Sequence, residues 1–310
     1  MLHSVVRISG RDADKLVTTI LTIKHISMKR LKYMLLLAVA LGTASCEKHE
    51  IEYINTPINK GIAEIQLHYF VPVVATKNNN IFKMEIAGQE YVNNNSTVIS
   101  TYNASPSGSV GRFYAVKPGD VNIKLYKGQK MELVYDKNTT LKEGKQNVFV
   151  YDFDKEPIVF DNGYPYETNL TMDTDSTCWV KFYHFLYEKE GEYCPLKLQY
   201  QYQYIISKDV KSNWINVGEP VAFGEATGWQ PVKVKKSIFN SAGYAHIDYR
   251  IMVQDANGNY TQELQIMNSK GKFENYTDYW DGYIGRRYHH ILKGMRAAKP
   301  LASVSQFTAL

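Results

Sequence analysis

Residues 113–126 read FYAVKPGDVNIKLY. Within them Val121, Ile123 and Leu125 alternate with Asn122, Lys124 and Tyr126. A strand here turns its aliphatic side chains to one face and its polar ones to the other. Pro118-Gly119 ahead of it and Lys127-Gly128 behind it are turn signals. The two-residue period continues outward in both directions. Ile65, Leu67, Tyr69 and Val71 alternate with Gln66, His68 and Phe70, and MELVY (131–135) and NVFVYDF (147–153) are strand-like as well. Asparagine runs at 78–80 and 93–95, with Pro106-Ser107-Gly108, mark further turns. Short strands recurring about every 8 to 12 residues between such turns predict a sandwich or barrel with one buried face per strand.

The same grammar returns after residues 154–176, which hold two prolines and many acids and read as a boundary. WVKFYHFLYE (179–188), LQYQYQYII (198–206), PVKVKKSIF (231–239), AHIDYRIMVQD (245–255) and YTQELQIM (260–267) are the strand candidates. Asn257-Gly258 predicts a type I′ hairpin turn between the last two. The expected organisation is all-β: a first β-sandwich over 62–160, a linker at 161–176, a second β-sandwich over 177–298 and a flexible tail at 299–310. IAEIQLHYFV (62–71) and CWVKFYHFLY (178–187) open the two halves alike and hint at a repeat.

The N-terminal region reads as an address. From Met28 the chain runs MKRLKYMLLLAVALGTASC: three cations, an apolar core, small residues, then Cys46. The order is that of a signal peptide, and the apolar core is shorter than the roughly 20 residues a spanning helix needs. Leu41 to Cys46 resembles the lipobox of bacterial lipoproteins, which implies lipidation of Cys46, cleavage before it and a lipid anchor in the membrane. Residues 28–45 are then the signal, 46–61 a polar tether, and 1–27 an upstream extension foreign to the signal. Glu47 follows the cysteine where an Asp would resemble an inner-membrane retention signal, so outer-membrane, surface-exposed placement is expected.

Charge follows the same division. Seven of the 36 Lys and Arg precede Cys46, against two of the 31 Asp and Glu, so the chain from Cys46 onward is close to neutral. A neutral domain gives no footprint for nucleic acid. The 24 tyrosines against 12 phenylalanines suit strands with wet aromatic rims. Cys178 and Cys194 either form a disulfide, permitted in an oxidising compartment, or are two buried thiols. No metal site and no cofactor are expected, since no CxxC pair, HExxH motif, phosphate loop or dinucleotide fingerprint is present.

FYAVKPGDVNIKLY followed by LKEGKQNVFVYDF (141–153) resembles an Ig-like repeat of unknown function common in surface lipoproteins of Bacteroidota. The resemblance covers roughly 62–160. It implies an Ig-like sandwich and carries over no catalytic residue; the second half lacks the matching Lys-Glu-Gly turn.

Candidate sites are few. Asp255, Asn257 and Asn259 mimic the start of a calcium loop, but Tyr260 and Ile266 stand where glycine and glutamate are needed, which favours a hairpin. His289 and His290 are expected as an exposed or rim cluster, pointing to opposite faces of a strand. Tyr200, Tyr202 and Tyr204 share a face; either they pack inward with Gln199, Gln201 and Gln203 in water, or they form an exposed ladder. Trp229, beside Gly228, and the stretch from Tyr276 to Tyr288, with Tyr279, Trp280, Tyr283 and Arg286, are the candidate ligand contacts; alternatively that stretch packs as a late strand. The expected function is a non-enzymatic, lipid-anchored cell-envelope module, structural or binding a glycan or protein. A degradative enzyme of glycoside-hydrolase type is the alternative.

Overall fold

The computed structural model describes residues 61–93, 96–106, 113–161, 176–208 and 210–309. The expected signal peptide and tether, with Cys46, fall in residues 1–60 and lie outside the described residues, as does most of the expected linker. No α-helix occurs among the described residues; regular structure is strand, with short 3-10 turns such as Lys77–Asn79.

The first half contains β1 (Ala63–Tyr69), β2 (Ile81–Ile86), β3 (Gln89–Val92), β4 (Asn103–Ser105), β5 (Tyr114–Val116), β6 (Gly119–Lys127), β7 (Glu132–Leu141), β8 (Gly144–Val150) and β9 (Ile158–Asp161). One sheet has β4 and β5 on one edge of β1, β8 parallel to β1 on the other, and β9 outside β8. The facing sheet runs β3-β2-β6-β7, antiparallel throughout. Ile65, Leu67 and Tyr69 of β1 pack with Met84 and Ile86 of β2 and Val121, Ile123 and Leu125 of β6 in one buried core. The alternation in VNIKLY therefore faces inward as the sequence predicts.

The second half contains β10 (Ser176–His184), β11 (Tyr187–Lys189), β12 (Glu192–Tyr193), β13 (Lys197–Ser207), β14 (Val210–Lys211), β15 (Ile215–Asn216), β16 (Gln230–Val234), β17 (Ala245–Gln254), β18 (Tyr260–Glu263), β19 (Gln265–Met267), β20 (Phe273–Asn275), β21 (Thr277–Gly282), β22 (Arg287–Lys293) and β23 (Ser303–Ala309). Its first sheet is β16-β10-β22-β23, with β10 parallel to β22. Its second is centred on the antiparallel pair β13 and β17, with β14 and β15 on β13 and β18 and β21 on β17. The strand order of the first sandwich recurs: an opening strand lies parallel to a late strand, which an antiparallel edge strand follows. Gly144 N–H donates to Ile62 O at the mouth of one parallel pair, and Gly285 N–H donates to Thr177 O at the mouth of the other.

Several expectations need correcting. The tail is not flexible over its length, because β23 pairs with β22 from Arg287↔Ala309 to Lys293↔Ser303. Its alternation in SVSQFTA is too polar to announce a strand; the partner supplies the order. Of the two readings left open for Cys178 and Cys194, the buried thiols hold, and neither is bridged. Cys194 N–H bonds Leu186 O, and Leu186 is eight residues along extended chain from Cys178, about 26 Å. That far exceeds the roughly 7 Å Cα limit for a disulfide. The hairpin at Asp255–Asn259 is real but not type I′: only Gly258 has positive φ (86°), and its N–H donates to Asp255 O. The Asp255 carboxylate accepts the N–H groups of Asn257 and Asn259 at 2.9 and 2.8 Å, so it caps the turn.

The opening strands are buried on both faces, not one. Beyond the two cores, Phe70, Phe149, Tyr183, Phe185 and Ile291 form a third buried cluster between the sandwiches. Phe149 stacks on Phe185 (4.8 Å between centroids) and on His68 (4.2 Å). In the joint His68 Nε2 meets Asn147 Oδ1 at 3.0 Å and Tyr183 OH meets His289 Nδ1 at 2.8 Å, while His68 Nδ1 is buried without a hydrogen-bond partner. Lys181 Nζ donates to Asp161 O and Tyr187 OH to Tyr151 O across the joint. Burial holds His68 down at about 4 and Lys181 at about 8. His289 and His290, expected at a rim, are both buried. They do point to opposite faces: His289 into the joint, and His290 into the second core, where Tyr200 OH meets its Nδ1 at 2.9 Å.

Candidate functional site

Strand β21 sorts the candidate contact residues by its pleat. Successive side chains on a strand point to opposite faces, so Trp280 and Gly282 share one face while Tyr279 and Asp281 share the other. The first face is core. Trp280 is 2% exposed, lies edge-on to Tyr288 and His290, and packs with the buried aromatics of β13 and β17. It is a core residue that also lines the basin described below, so its burial leaves it little surface to offer a ligand. The second face is open, and Tyr279 is 56% exposed.

Tyr279 is stiffened from below. Its ring stacks on His246 at 4.6 Å. His246 Nε2 is 2.9 Å from Asp248 Oδ1, and Lys211 Nζ is 2.6 Å from Asp248 Oδ2. Partial burial pushes the Asp248 carboxyl up, but the bonds from Lys211 and His246 outweigh it and hold it below its ordinary range. Tyr279 N–H donates to Asp278 Oδ1, and Gln306 Nε2 of β23 donates to Tyr279 O.

Tyr283 and Arg286 sit in the turn that leaves β21. That turn is pinned by Gly285 N–H on Thr177 O, Arg286 N–H on Tyr283 O, and Trp179 N–H on Arg286 O. Gly285 takes φ of 74°, a left-handed conformation that favours glycine. The Arg286 guanidinium lies over the Tyr283 ring at 3.9 Å. Asp278, Tyr279, Asp281, Tyr283 and Arg286 then line one open basin of about 460 Å³, closed on its far side by Gln306 and Thr308 of β23. A second basin of similar size adjoins Tyr279, lined by Gln203, Lys211, Trp214 and Asp248.

Of the sequence candidates, Tyr279, Tyr283 and Arg286 come together. Trp229 does not join them; it is half-buried, with its ring 5.0 Å from His289. The tyrosine ladder packs inward: Tyr200 and Tyr202 are buried, and Tyr200 stacks on Tyr249 at 4.9 Å. Its glutamines are not in water. Gln199 Nε2 bonds Tyr200 O, Val217 O and Gly218 O, and Gln201 bonds Asn216 and Arg250, because β15 and its loop cover that face. His246 and Gln306 were not legible as site residues, since only pairing to β21 and β22 brings them there.

A further basin, about 650 Å³, lies elsewhere, against Phe160 and the loop from Gly218 to Gln230. Its carboxylates, Glu219 and Glu225, are both exposed, and Glu225 Oε2 accepts the Ala222 N–H. No group of metal-ligating side chains is gathered among the described residues.

No protein-family model matches the chain, and no curated protein matches it. Among solved structures, a candidate cell adhesion protein from Bacteroides fragilis NCTC 9343 matches at 8% identity with a TM-score of 0.25, over 80% of this chain and 97% of that one. A second candidate cell adhesion protein, from Bacteroides uniformis ATCC 8492, matches at 8% identity with a TM-score of 0.20, over 80% and 98%. At that level of superposition neither carries an argument about role.

Proposed function

We propose that this protein is a non-enzymatic, lipid-anchored binding module of the cell envelope, and that its contact surface is the outward face of β21. The observation that carries the reading is Tyr279, a large aromatic held open to solvent on a locked support. A tyrosine ring offers stiff apolar area and a polar tip, and groups held by a rigid scaffold lose little freedom when a ligand arrives. Open, polar basins flanking such a ring suit sugars or polar partners better than a buried reaction centre, which needs water excluded. A glycan and protein array probed with the full chain tests this. Tyr279→Ala is expected to lose the signals that the wild type gives while melting normally; retention of every signal contradicts the reading. The anchor is tested separately by Cys46→Ala, which is expected to leave the membrane fraction or remain unprocessed. Full membrane partitioning with unchanged mass contradicts it.

A further inference from the structure

We propose that the basin between Tyr279 and Arg286 is a subsite for a carboxylated sugar, a uronic-acid unit of an acidic polysaccharide. This rests on the binding role assigned to β21 and narrows its ligand.

Arg286 is exposed, and its guanidinium contacts the Tyr283 ring and bonds no carboxylate among the described residues. Asp281 lines the same basin half-exposed, and its carboxylate bonds no cation there. Arg286 and Asp281 thus border one space without pairing, while the third charge there, Asp278, already accepts from Tyr249 OH and Tyr279 N–H. The basin on the other side of Tyr279 differs: Lys211 and Asp248 pair at 2.6 Å, and Arg250 covers Trp214 at 4.4 Å. Its charges are spent internally, so the recognising side is that of Arg286.

A uronic acid matches the open groups in kind. Its carboxylate takes the planar guanidinium, the fork geometry that arginine offers to carboxylates. Its ring hydroxyls donate to Asp281, since a carboxylate accepts from neutral donors with charge-assisted strength. Its apolar ring face lies against Tyr279. The volume of about 460 Å³ falls within the range of roughly 300–1,000 Å³ typical of small-ligand sites. The pinned turn that carries Arg286 and the stacked support of Tyr279 hold both groups before binding.

The test is titration of the full chain, purified in detergent, with polygalacturonate, alginate and hyaluronate. Methyl-esterified polygalacturonate is the uncharged counterpart, and poly-glutamate the acidic non-sugar. At least one acidic glycan is expected to bind, and added salt to weaken it. Arg286→Gln is expected to reduce that binding about tenfold and to leave the ester unaffected, whereas Tyr279→Ala abolishes both. Binding of none of the three acids, equal binding of acid and ester, equal binding of poly-glutamate, or indifference to Arg286→Gln overturns the carboxylate assignment. Glycan binding that depends on Tyr279 but not on Arg286 removes this inference and leaves the broader role standing. Binding indifferent to Tyr279 removes both.

Discussion

The joint between the sandwiches and the outward face of β21 are built from similar residues, and they do opposite things. Both mix aromatic rings with histidine, a cation and polar groups. In the joint, His68, Tyr183, Lys181 and His289 each find a partner, and Phe70, Phe149, Tyr183 and Phe185 are buried. On β21, Tyr279 has a support beneath and is 56% exposed, and Arg286 and Asp281 bond no opposite charge among the described residues. Residue type does not decide between packing and contact. What lies across from the strand decides it, and for the joint that is the other sandwich.

The contrast can be broken at its stiff end first. Phe149 is 0% exposed and touches His68, Phe160, Tyr183 and Phe185. Phe149→Ala is expected to cost about 3–5 kcal/mol, the ordinary loss for a buried aromatic, measured by urea unfolding. A loss below about 1 kcal/mol would mean that the joint does not hold the sandwiches together.

Acid sharpens the comparison next. His68 is held neutral by burial at about 4, against 6.5 when unfolded. Between those values the unfolded chain binds the extra proton and the folded chain does not. Stability is therefore full above about pH 6.5 and falls as pH drops towards 4, by about 3 kcal/mol for this group. His184 and His290, also lowered by burial to about 4 and 3, add to the slope. Urea unfolding at pH 7, 5.5 and 4.5 should show the decline, and it should be shallower in His68→Phe, which keeps a ring on Phe149. A flat profile contradicts the neutral, buried assignment.

A smaller effect is expected at Gln201, on the covered face of β13. Gln201→Ala removes bonds to Asn216 and Arg250 and should cost about 1–2 kcal/mol. If it costs nothing, that face is as wet as its sequence suggests.

These contrasts show how far the sequence reached. Period-two runs such as VNIKLY gave the all-β class, because a pleated strand with one buried face writes its pattern into adjacent residues. Strands covered on both faces, such as β1 and β10, kept their apolar alternation, while their other face held Gln66, His68 and Lys181, which look solvent-bound until a second sandwich covers them. The stretch around Trp280 was legible as aromatic and charged, but its sorting needed the register of β21 against β17. Once Trp280 is opposite Ile247, its neighbours must face out. The polar tail gave no signal of β23, whose order comes from β22.

That sorting is the centre of the account, and adjacent residues test it most directly. Urea unfolding of Trp280→Ala and Tyr279→Ala, side by side with the wild type, compares the two faces of one strand. Trp280→Ala is expected to lose about 3–5 kcal/mol. Tyr279→Ala is expected to stay within about 0.5 kcal/mol, as exposed substitutions do. Similar losses at both positions, or a larger loss at Tyr279, would contradict the assignment of an open contact face on β21.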